Sequence, residues 1–222
     1  MEQPYSVQTS AQSVVATNRV LRNTYRLLSM TLLFSAVTAF VAVRVNMPPL
    51  GIFITLGGYF GLLFLTTALR NSPWGLVSIF ALTGFMGLTI GPIINIYTQA
   101  FSNGSELVML AMGGTGVVFL TMSGIALTSK RDFSGMGQFL MIGIIVAFLA
   151  GLAAYFFQIP ALSLAVSAMF VLLMSGLILY QTQAIVRGGE TNYIMATITL
   201  FVSIYNLFTS LLHLLGFALG ED

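Results

Sequence analysis

The chain has 222 residues, of which 57% are hydrophobic and 6% are charged, and it carries a formal net charge of +2 with no cysteine. A typical soluble domain carries about 25% charged residues, so this composition excludes an ordinary water-soluble protein. Its eight basic residues are too few for a nucleic-acid interface, and the lack of cysteine excludes disulfides and thiolate metal sites. The polar segment over residues 1–18 has no apolar core and is therefore not a signal peptide.

Seven apolar stretches follow that segment, each long enough for a membrane helix, which needs about 20 residues. Short polar or proline-containing breaks separate them. The predicted helices cover residues 27–46, 50–69, 75–99, 107–128, 135–157, 161–185 and 193–219. We predict an all-α integral membrane protein with seven transmembrane helices, made of a flexible cytosolic tail over residues 1–18 and one transmembrane domain over residues 19–222.

The positive residues predict the orientation of the chain, because Lys and Arg are enriched in cytoplasmic segments. A cytoplasmic N-terminus places Arg44 outside and the other seven basic residues inside, namely Arg19, Arg22, Arg26, Arg70, Lys130, Arg131 and Arg187. We therefore predict that the N-terminus is cytoplasmic and that the C-terminus is outside. Arg44 lies about one turn from the outer boundary, where its charge reaches the lipid headgroups.

Three arginines precede the first apolar stretch at helical spacing. Arg19, Arg22 and Arg26 are three and four residues apart, so they share one face of a helix that leads into the membrane. This basic face is predicted to contact anionic lipid headgroups. The alternative is a docking surface for a protein partner.

Two pairs of glycines have the spacing that lets membrane helices approach each other closely. They are Gly57 with Gly61 and Gly87 with Gly91. Small residues four positions apart are typical of helix contacts in lipid. We predict that both pairs lie at helix–helix contacts.

The last two predicted helices carry polar side chains on an otherwise apolar surface. Ser203, Asn206, Ser210 and His213, here called the polar stripe, are 3, 4 and 3 residues apart and share one side of a helix. Gln181, near the cytoplasmic end of the sixth helix, is predicted to face Ser203. Such groups act as hydrogen-bond partners between helices, line a narrow wet path, or form a cleft that receives another helix.

A tight polar loop joins these two helices and contains Arg187, Gly188, Gly189 and Glu190. We predict that it lies at the cytoplasmic mouth of the bundle, with Glu190 as the nearest acid to the polar stripe.

Residues that carry catalytic or metal chemistry are sparse. His213 is the only histidine, and no Asp or Glu lies within a predicted membrane helix, so a zinc site of normal ligand number cannot form. Ser123 and Ser175 each precede a glycine, but neither has the glycine two residues earlier that an intramembrane protease motif requires. We predict no catalytic residue, no metal site and no cofactor.

Several short motifs occur together along the chain. They are Leu21-Arg22-Asn23-Thr24-Tyr25, Gly91-Pro92, Gln158-Ile159-Pro160-Ala161-Leu162, Gly188-Gly189-Glu190-Thr191-Asn192-Tyr193 and Ser203-Ile204-Tyr205-Asn206-Leu207-Phe208. With these motifs the chain resembles the Bax inhibitor-1 family, also called the transmembrane BAX inhibitor motif family, over nearly all of its length from residue 19 onward. It is most similar to the bacterial YccA-like branch of that family.

The resemblance implies a Bax inhibitor-1-like bundle of six helices around a central seventh, in the bacterial inner (cytoplasmic) membrane. It also implies two functions. Members of the YccA-like branch are associated with the membrane-anchored ATP-dependent protease FtsH, as substrate and modulator, and their cytosolic tail is the segment that the protease grips. Other members conduct a slow calcium leak, with an acidic pair on helices six and seven as the pH sensor.

The chain departs from the calcium-leak pattern at both acidic positions, which correspond to Gln181 and Ser203. Two carboxylates that share a proton respond to pH through mutual repulsion, and calcium prefers carboxylate oxygens among its ligands. We therefore expect a non-enzymatic protein that lies in the lipid bilayer and modulates FtsH. The alternative is a slow cation leak, of calcium or protons, along the polar stripe and without the acidic-pair sensor.

Overall fold

A computed structural model of the chain describes residues 5–221, with side chains from Thr17 onward. Over this range the regular secondary structure is entirely helical. The seven helices are α1 (Tyr5–Arg44), α2 (Ile52–Leu69), α3 (Trp74–Ala100), α4 (Gly104–Thr128), α5 (Met136–Phe156), α6 (Pro160–Val186) and α7 (Tyr193–Leu219).

All seven helices contain a span that is long and apolar enough to cross a membrane, and in α1 this span is Thr17–Arg44. The predicted all-α, seven-span fold is therefore confirmed. Helices α2 to α7 begin and end within three residues of the predicted limits. Helix α1 instead begins at Tyr5, inside the segment expected to be a flexible tail, and residues 1–4 of that tail lie outside the described residues.

The α6–α7 connection is short because its residues fit a tight turn. The amide of Gly188 donates to the carbonyl of Ile185, and Gly188 has a φ of +75°, a conformation that side chains with a Cβ rarely adopt. Asn192 then caps α7, since its side-chain oxygen accepts hydrogen bonds from the amides of Ile194 at 3.0 Å and Met195 at 3.1 Å. This turn makes α6 and α7 antiparallel neighbours.

Helix α7 is the best-buried helix of the bundle and packs against α1, α3, α4 and α6. Helices α2 and α5 pack mainly on α3 and α6, in an outer layer. The resemblance implied six helices around the seventh. In the structure only four helices pack directly on α7, and α2 and α5 lie outside them. A cavity lies between α7 and the two outer helices. The core of the bundle includes Leu82 of α3, Ile178 of α6 and Phe201 of α7.

The two glycine pairs have different environments. A Cβ at Gly87 would overlap the Ser35 carbonyl and the Thr38 hydroxyl of α1, and one at Gly91 would overlap Ala42 of α1. The α3 pair therefore allows close packing on α1, as predicted.

The α2 pair does not behave in this way. A Cβ at Gly57 or Gly61 would have nothing within 4 Å, and both residues are exposed on the outside of the bundle. The prediction that this pair lies at a contact between helices of the chain is wrong, because a different face of α2 packs against α3.

Candidate functional site

Three loops come together at one end of the bundle, here called the loop face. They are residues 70–73 between α2 and α3, residues 129–135 between α4 and α5, and residues 187–192 between α6 and α7. This is the end predicted to be cytoplasmic. Side chains near the α6–α7 connection hold the other two loops in place.

Gln183, in the last turn of α6, holds the α4–α5 loop. Its side chain is buried, with 3% of its surface exposed. The side-chain oxygen accepts a hydrogen bond from the amide of Phe133 at 2.6 Å, and the side-chain nitrogen donates to the carbonyl of Arg131 at 2.7 Å. Both ends of one amide are therefore used to fix a loop that lies about 50 residues away in sequence.

Arg187 adds a charged contact to the same loop. Its guanidinium lies 3.0 Å from the carboxylate of Asp132 and donates to the carbonyl of Arg131 at 2.7 Å. The Asp132 carboxylate also accepts from the amide of Ser134 at 2.9 Å. The hydrogen bonds from Ser134, and then the nearby Arg187 charge, hold the pKa of Asp132 below its ordinary value of 3.8. Both partners are exposed, so this pair contributes less than the buried amide of Gln183.

Asn192 connects the α2–α3 loop to the start of α7. While its oxygen caps α7, its side-chain nitrogen donates to the carbonyl of Arg70 at 3.2 Å and to the side-chain oxygen of Asn71 at 2.9 Å. Glu190 stabilises the turn by accepting from the amide of Asn192 at 2.7 Å. Gln183, Arg187 and Asn192 together make the loop face an ordered surface of three connected loops.

The predicted basic face lies beside this surface. Arg19, Arg22 and Arg26 are all exposed on α1, while the intervening Thr24 is fully buried. The hydroxyl of Thr17 lies 3.7 Å from the Cβ position of Gly188. Helix α1 therefore reaches the loop face at the α6–α7 turn, with its arginines outward.

The polar stripe does not form one continuous network. Ser203 is buried and donates to the carbonyl of Thr199 in its own helix at 2.7 Å, and the Asn206 side chain donates to the carbonyl of Val202 at 2.8 Å. His213 lies 2.8 Å from the hydroxyl of Ser167, which links α7 to α6.

Ser210 is buried as well. Within the stripe, Ser203 and Asn206 thus bond inside α7, whereas His213 bonds between helices. The predicted approach of Gln181 to Ser203 does not produce a hydrogen bond, because the Ser203 hydroxyl is directed to its own helix.

Gln181 is a buried polar residue with an unpaired side-chain atom. Its side-chain nitrogen is buried without a partner, as are the hydroxyls of Thr24 on α1 and Ser123 on α4. Each of these residues is less than one-tenth exposed. Buried polar groups normally have partners, so these three atoms are exceptions in an otherwise well-bonded interior.

Two cavities flank the middle of α7. One, of about 530 Å³, lies between α1, α3, α4 and α7. The other, of about 410 Å³, lies between α2, α3, α5, α6 and α7 and contains Asn206 in its wall. Tyr205 contributes to both cavities, and its hydroxyl bonds to that of Thr89 on α3 at 2.7 Å. This pair separates the two spaces.

Sequence reasoning predicted Arg187 at the loop face but missed Gln183 and Asn192, which organise it with Arg187. Asn192 carried a usable signal, since Asn immediately before an apolar run is a typical helix N-cap. No sequence signal distinguishes Gln183 from Gln181, because both side chains are amides near the end of the same apolar helix. Among residues 17–221, no group of three or more His, Cys, Asp or Glu side chains is placed to hold a metal ion.

Seven membrane spans with a buried last helix, together with the motifs at the loop face, define a multi-pass membrane protein of the Bax inhibitor-1 family, to which this chain belongs. The family model described as "Inhibitor of apoptosis-promoting Bax1" matches residues 17–219. The predicted family resemblance is therefore confirmed over nearly the whole chain.

Individual relatives cover at least 93% of the chain. It is 49% identical over 206 residues to "Modulator of FtsH protease YccA" of Escherichia coli K12, covering 93% of each chain. It is 50% identical over 221 residues to an uncharacterised protein of Pseudomonas aeruginosa, covering 100% of this chain and 99% of that protein. An "Inner membrane protein YccA" of Escherichia coli O6:H1 is also 49% identical. With its seven apolar helices, the chain is a multi-pass inner membrane protein.

Proposed function

We propose that this protein is a non-enzymatic modulator of the membrane protease FtsH, which it binds directly. The single observation that supports this most strongly is its 49% identity, over 93% of both chains, to a protein named as a modulator of that protease. Similarity of this extent includes the loop face and the arginines of α1, and not only the membrane helices.

The loop face and the basic face are the surface proposed to contact the protease. Hydrogen bonds from Gln183 and Asn192 fix the loops, so little conformational entropy is lost when a partner binds there. The exposed arginines of α1 and Arg131 of the α4–α5 loop supply positive charge around it. We infer that these charges guide association with an acidic surface of the partner.

The segment before Thr17 is proposed to be the part of the chain that the protease engages. It leads directly from the loop face, because Thr17 lies beside Gly188. Binding by the loop face and engagement of this segment are therefore separable functions of the same end of the bundle.

Co-purification in mild detergent tests the proposal. Tagged full-length chain, a chain lacking residues 2–16, and a full-length variant with Arg19, Arg22 and Arg26 changed to Gln are compared for recovery of FtsH. We expect the full-length chain to recover FtsH and the arginine variant to recover much less. If neither the full-length nor the shortened chain recovers any protease subunit, the proposal is wrong.

A slow leak of calcium or protons is the second candidate function, and one observation favours it. Asn206 places a polar side chain in the wall of the 410 Å³ cavity at mid-bilayer. Flux into liposomes that contain the purified protein, measured with Asn206→Leu and His213→Leu, tests this function. Flux that neither substitution changes argues against the polar stripe as a path.

A further inference from the structure

The larger cavity is a groove between two helices that make few contacts with each other, one of which joins the rings of Tyr25 and Phe119 at 6.1 Å between their centres. Its walls are α1 and α4, and its floor is formed by α3 and α7. The volume of about 530 Å³ falls within the roughly 300–1,000 Å³ of typical ligand sites. Small residues widen it on both walls, with Ala36 and Ala39 on α1 and Gly116 on α4.

The lining of this groove suits a hydrocarbon chain rather than water. Leu32, Phe201 and Phe208 are typical of its surface. The hydroxyl groups of Thr115 and Tyr205 are already used, in bonds of 2.7 Å to the carbonyl of Ala111 and to the hydroxyl of Thr89. The third hydroxyl of the lining belongs to Ser35 on α1. A water molecule needs two to four polar partners, and one free hydroxyl among apolar side chains does not supply them.

The length of the groove matches one leaflet of a bilayer. On α1 it runs from Leu32 to Val43, a rise of about 16 Å at roughly 1.5 Å per residue. The hydrocarbon core of a bilayer is about 30 Å thick. A transmembrane helix of another protein crosses both leaflets and would need a groove of about twice this length, whereas a lipid acyl chain fills one leaflet.

A single positive charge lies at the outer end of the groove. Arg44 follows Val43, and its guanidinium carbon is 4.9 Å from the ring centre of Phe40, which lines the groove. The side chain of Arg44 is exposed. Within residues 17–221, the one ion pair joins Arg187 to Asp132 at the opposite end of the bundle, so Arg44 is left to interact with other anions at the membrane surface.

We propose that the groove between α1 and α4 binds one phospholipid of the leaflet on the Arg44 side. An acyl chain lies along α7, between Ala36 and Gly116, and the headgroup phosphate bonds to Arg44. A guanidinium binds phosphate oxygens through two parallel hydrogen bonds. A zwitterionic headgroup carries the same phosphate together with a cation, which the positive charge of Arg44 repels. The site therefore favours an anionic phospholipid.

Native mass spectrometry of the delipidated protein in detergent, titrated with phosphatidylglycerol or phosphatidylcholine, tests the acyl-chain part of the site. A Cβ at Gly116 meets nothing within 4 Å, so Gly116→Leu adds its side chain to the groove with no clash at the Cβ. Gly113, one turn away on α4, has an equally open Cβ but does not line the groove, and Gly113→Leu is the matched control. Ala36→Leu fills the groove from the other wall.

We expect one tightly held phosphatidylglycerol per wild-type chain, at least tenfold weaker binding by Gly116→Leu and Ala36→Leu, and unchanged binding by Gly113→Leu. Equal binding by the wild-type and groove-filled chains overturns the proposal, and so does equal loss in the control. If one groove variant does not fold, the other decides the question.

The charge arm of the test uses Arg44→Gln, with Arg70→Gln as a control at the opposite end of the bundle. We expect Arg44→Gln to lose the preference for phosphatidylglycerol over phosphatidylcholine, and Arg70→Gln to keep it. Inorganic phosphate at millimolar concentration is expected not to displace the lipid, because the acyl chain contributes most of the contact. Displacement by phosphate alone, or a preference that survives Arg44→Gln, contradicts the assignment.

Discussion

The order of the loop face depends on one buried amide, and replacing it is expected to have a large local effect. Gln183→Leu removes two hydrogen bonds, of 2.6 Å to the Phe133 amide and 2.7 Å to the Arg131 carbonyl. Each bond contributes about 0.5–1.5 kcal/mol, which gives a loss of about 2 kcal/mol. For a protein of this size, 1 kcal/mol corresponds to roughly 2–4 °C in Tm, so we expect Tm to fall by about 4–8 °C.

Gln181→Leu is a closely matched control. It makes the same chemical change two residues earlier in α6, at another buried site. The Gln181 side-chain nitrogen has no hydrogen-bond partner, and removing an unpartnered buried donor is neutral or stabilising. We therefore expect an unchanged or higher Tm for this variant.

Thermal unfolding in detergent measures the global effect, and hydrogen exchange at the Phe133 amide measures the local one. We expect Gln183→Leu to lower Tm and to speed exchange at Phe133, whereas Gln181→Leu leaves this exchange at the wild-type rate. Equal Tm shifts for the two variants, or wild-type protection of Phe133 in Gln183→Leu, would refute the role of Gln183 in fixing the loop.

Three other predictions concern helix packing, an interhelical bond and pH. Gly87→Ala is expected to destabilise the protein by about 1–3 kcal/mol through overpacking against α1. Gly57→Ala, with an open Cβ position, is expected to leave stability unchanged or to raise it in the same SDS-unfolding assay, because Ala favours a helix over Gly. A double-mutant cycle on Ser167→Ala and His213→Leu, whose side chains are 2.8 Å apart, is expected to give a coupling of about 0.6 kcal/mol. A coupling near zero would contradict that bond. Because the folded-state pKa of Asp132 is lowered below 3.8, its contribution is present above that pH and is lost as the pH falls through the folded value. Melting curves of wild type and Asp132→Asn are thus expected to differ at pH 7 and 5 and to approach each other as the pH falls below 3.8.

The membrane helices could be predicted from sequence because each depends on local composition. An apolar run of the right length must form a helix in lipid, where every backbone group needs an internal partner. The predicted and observed limits of α7 agree at both ends, from Tyr193 to Leu219. Similarly, the spacing of Arg19, Arg22 and Arg26 was sufficient to place them on one exposed face.

The contacts between helices could not be predicted in the same way. Gly57 and Gly87 have the same small-residue pattern, yet only Gly87 meets another helix, since the pattern does not specify which side of a helix faces inward. Gln183 bonds to residues about 50 positions away, and no local feature indicates such a partner. Even the polar stripe, which its spacing assigns to one side of α7, divides into Ser203, which bonds within α7, and His213, which bonds to α6.

The proposed function is tested most directly by the activity of FtsH in proteoliposomes. The rate at which purified FtsH degrades a labelled membrane substrate is measured with increasing amounts of the wild-type chain, and with the variant in which Arg19, Arg22 and Arg26 are Gln. We expect the wild-type chain to slow degradation in a saturable way and the variant to need a higher concentration for the same effect. A degradation rate that stays constant across the whole titration would contradict modulation of the protease by this protein.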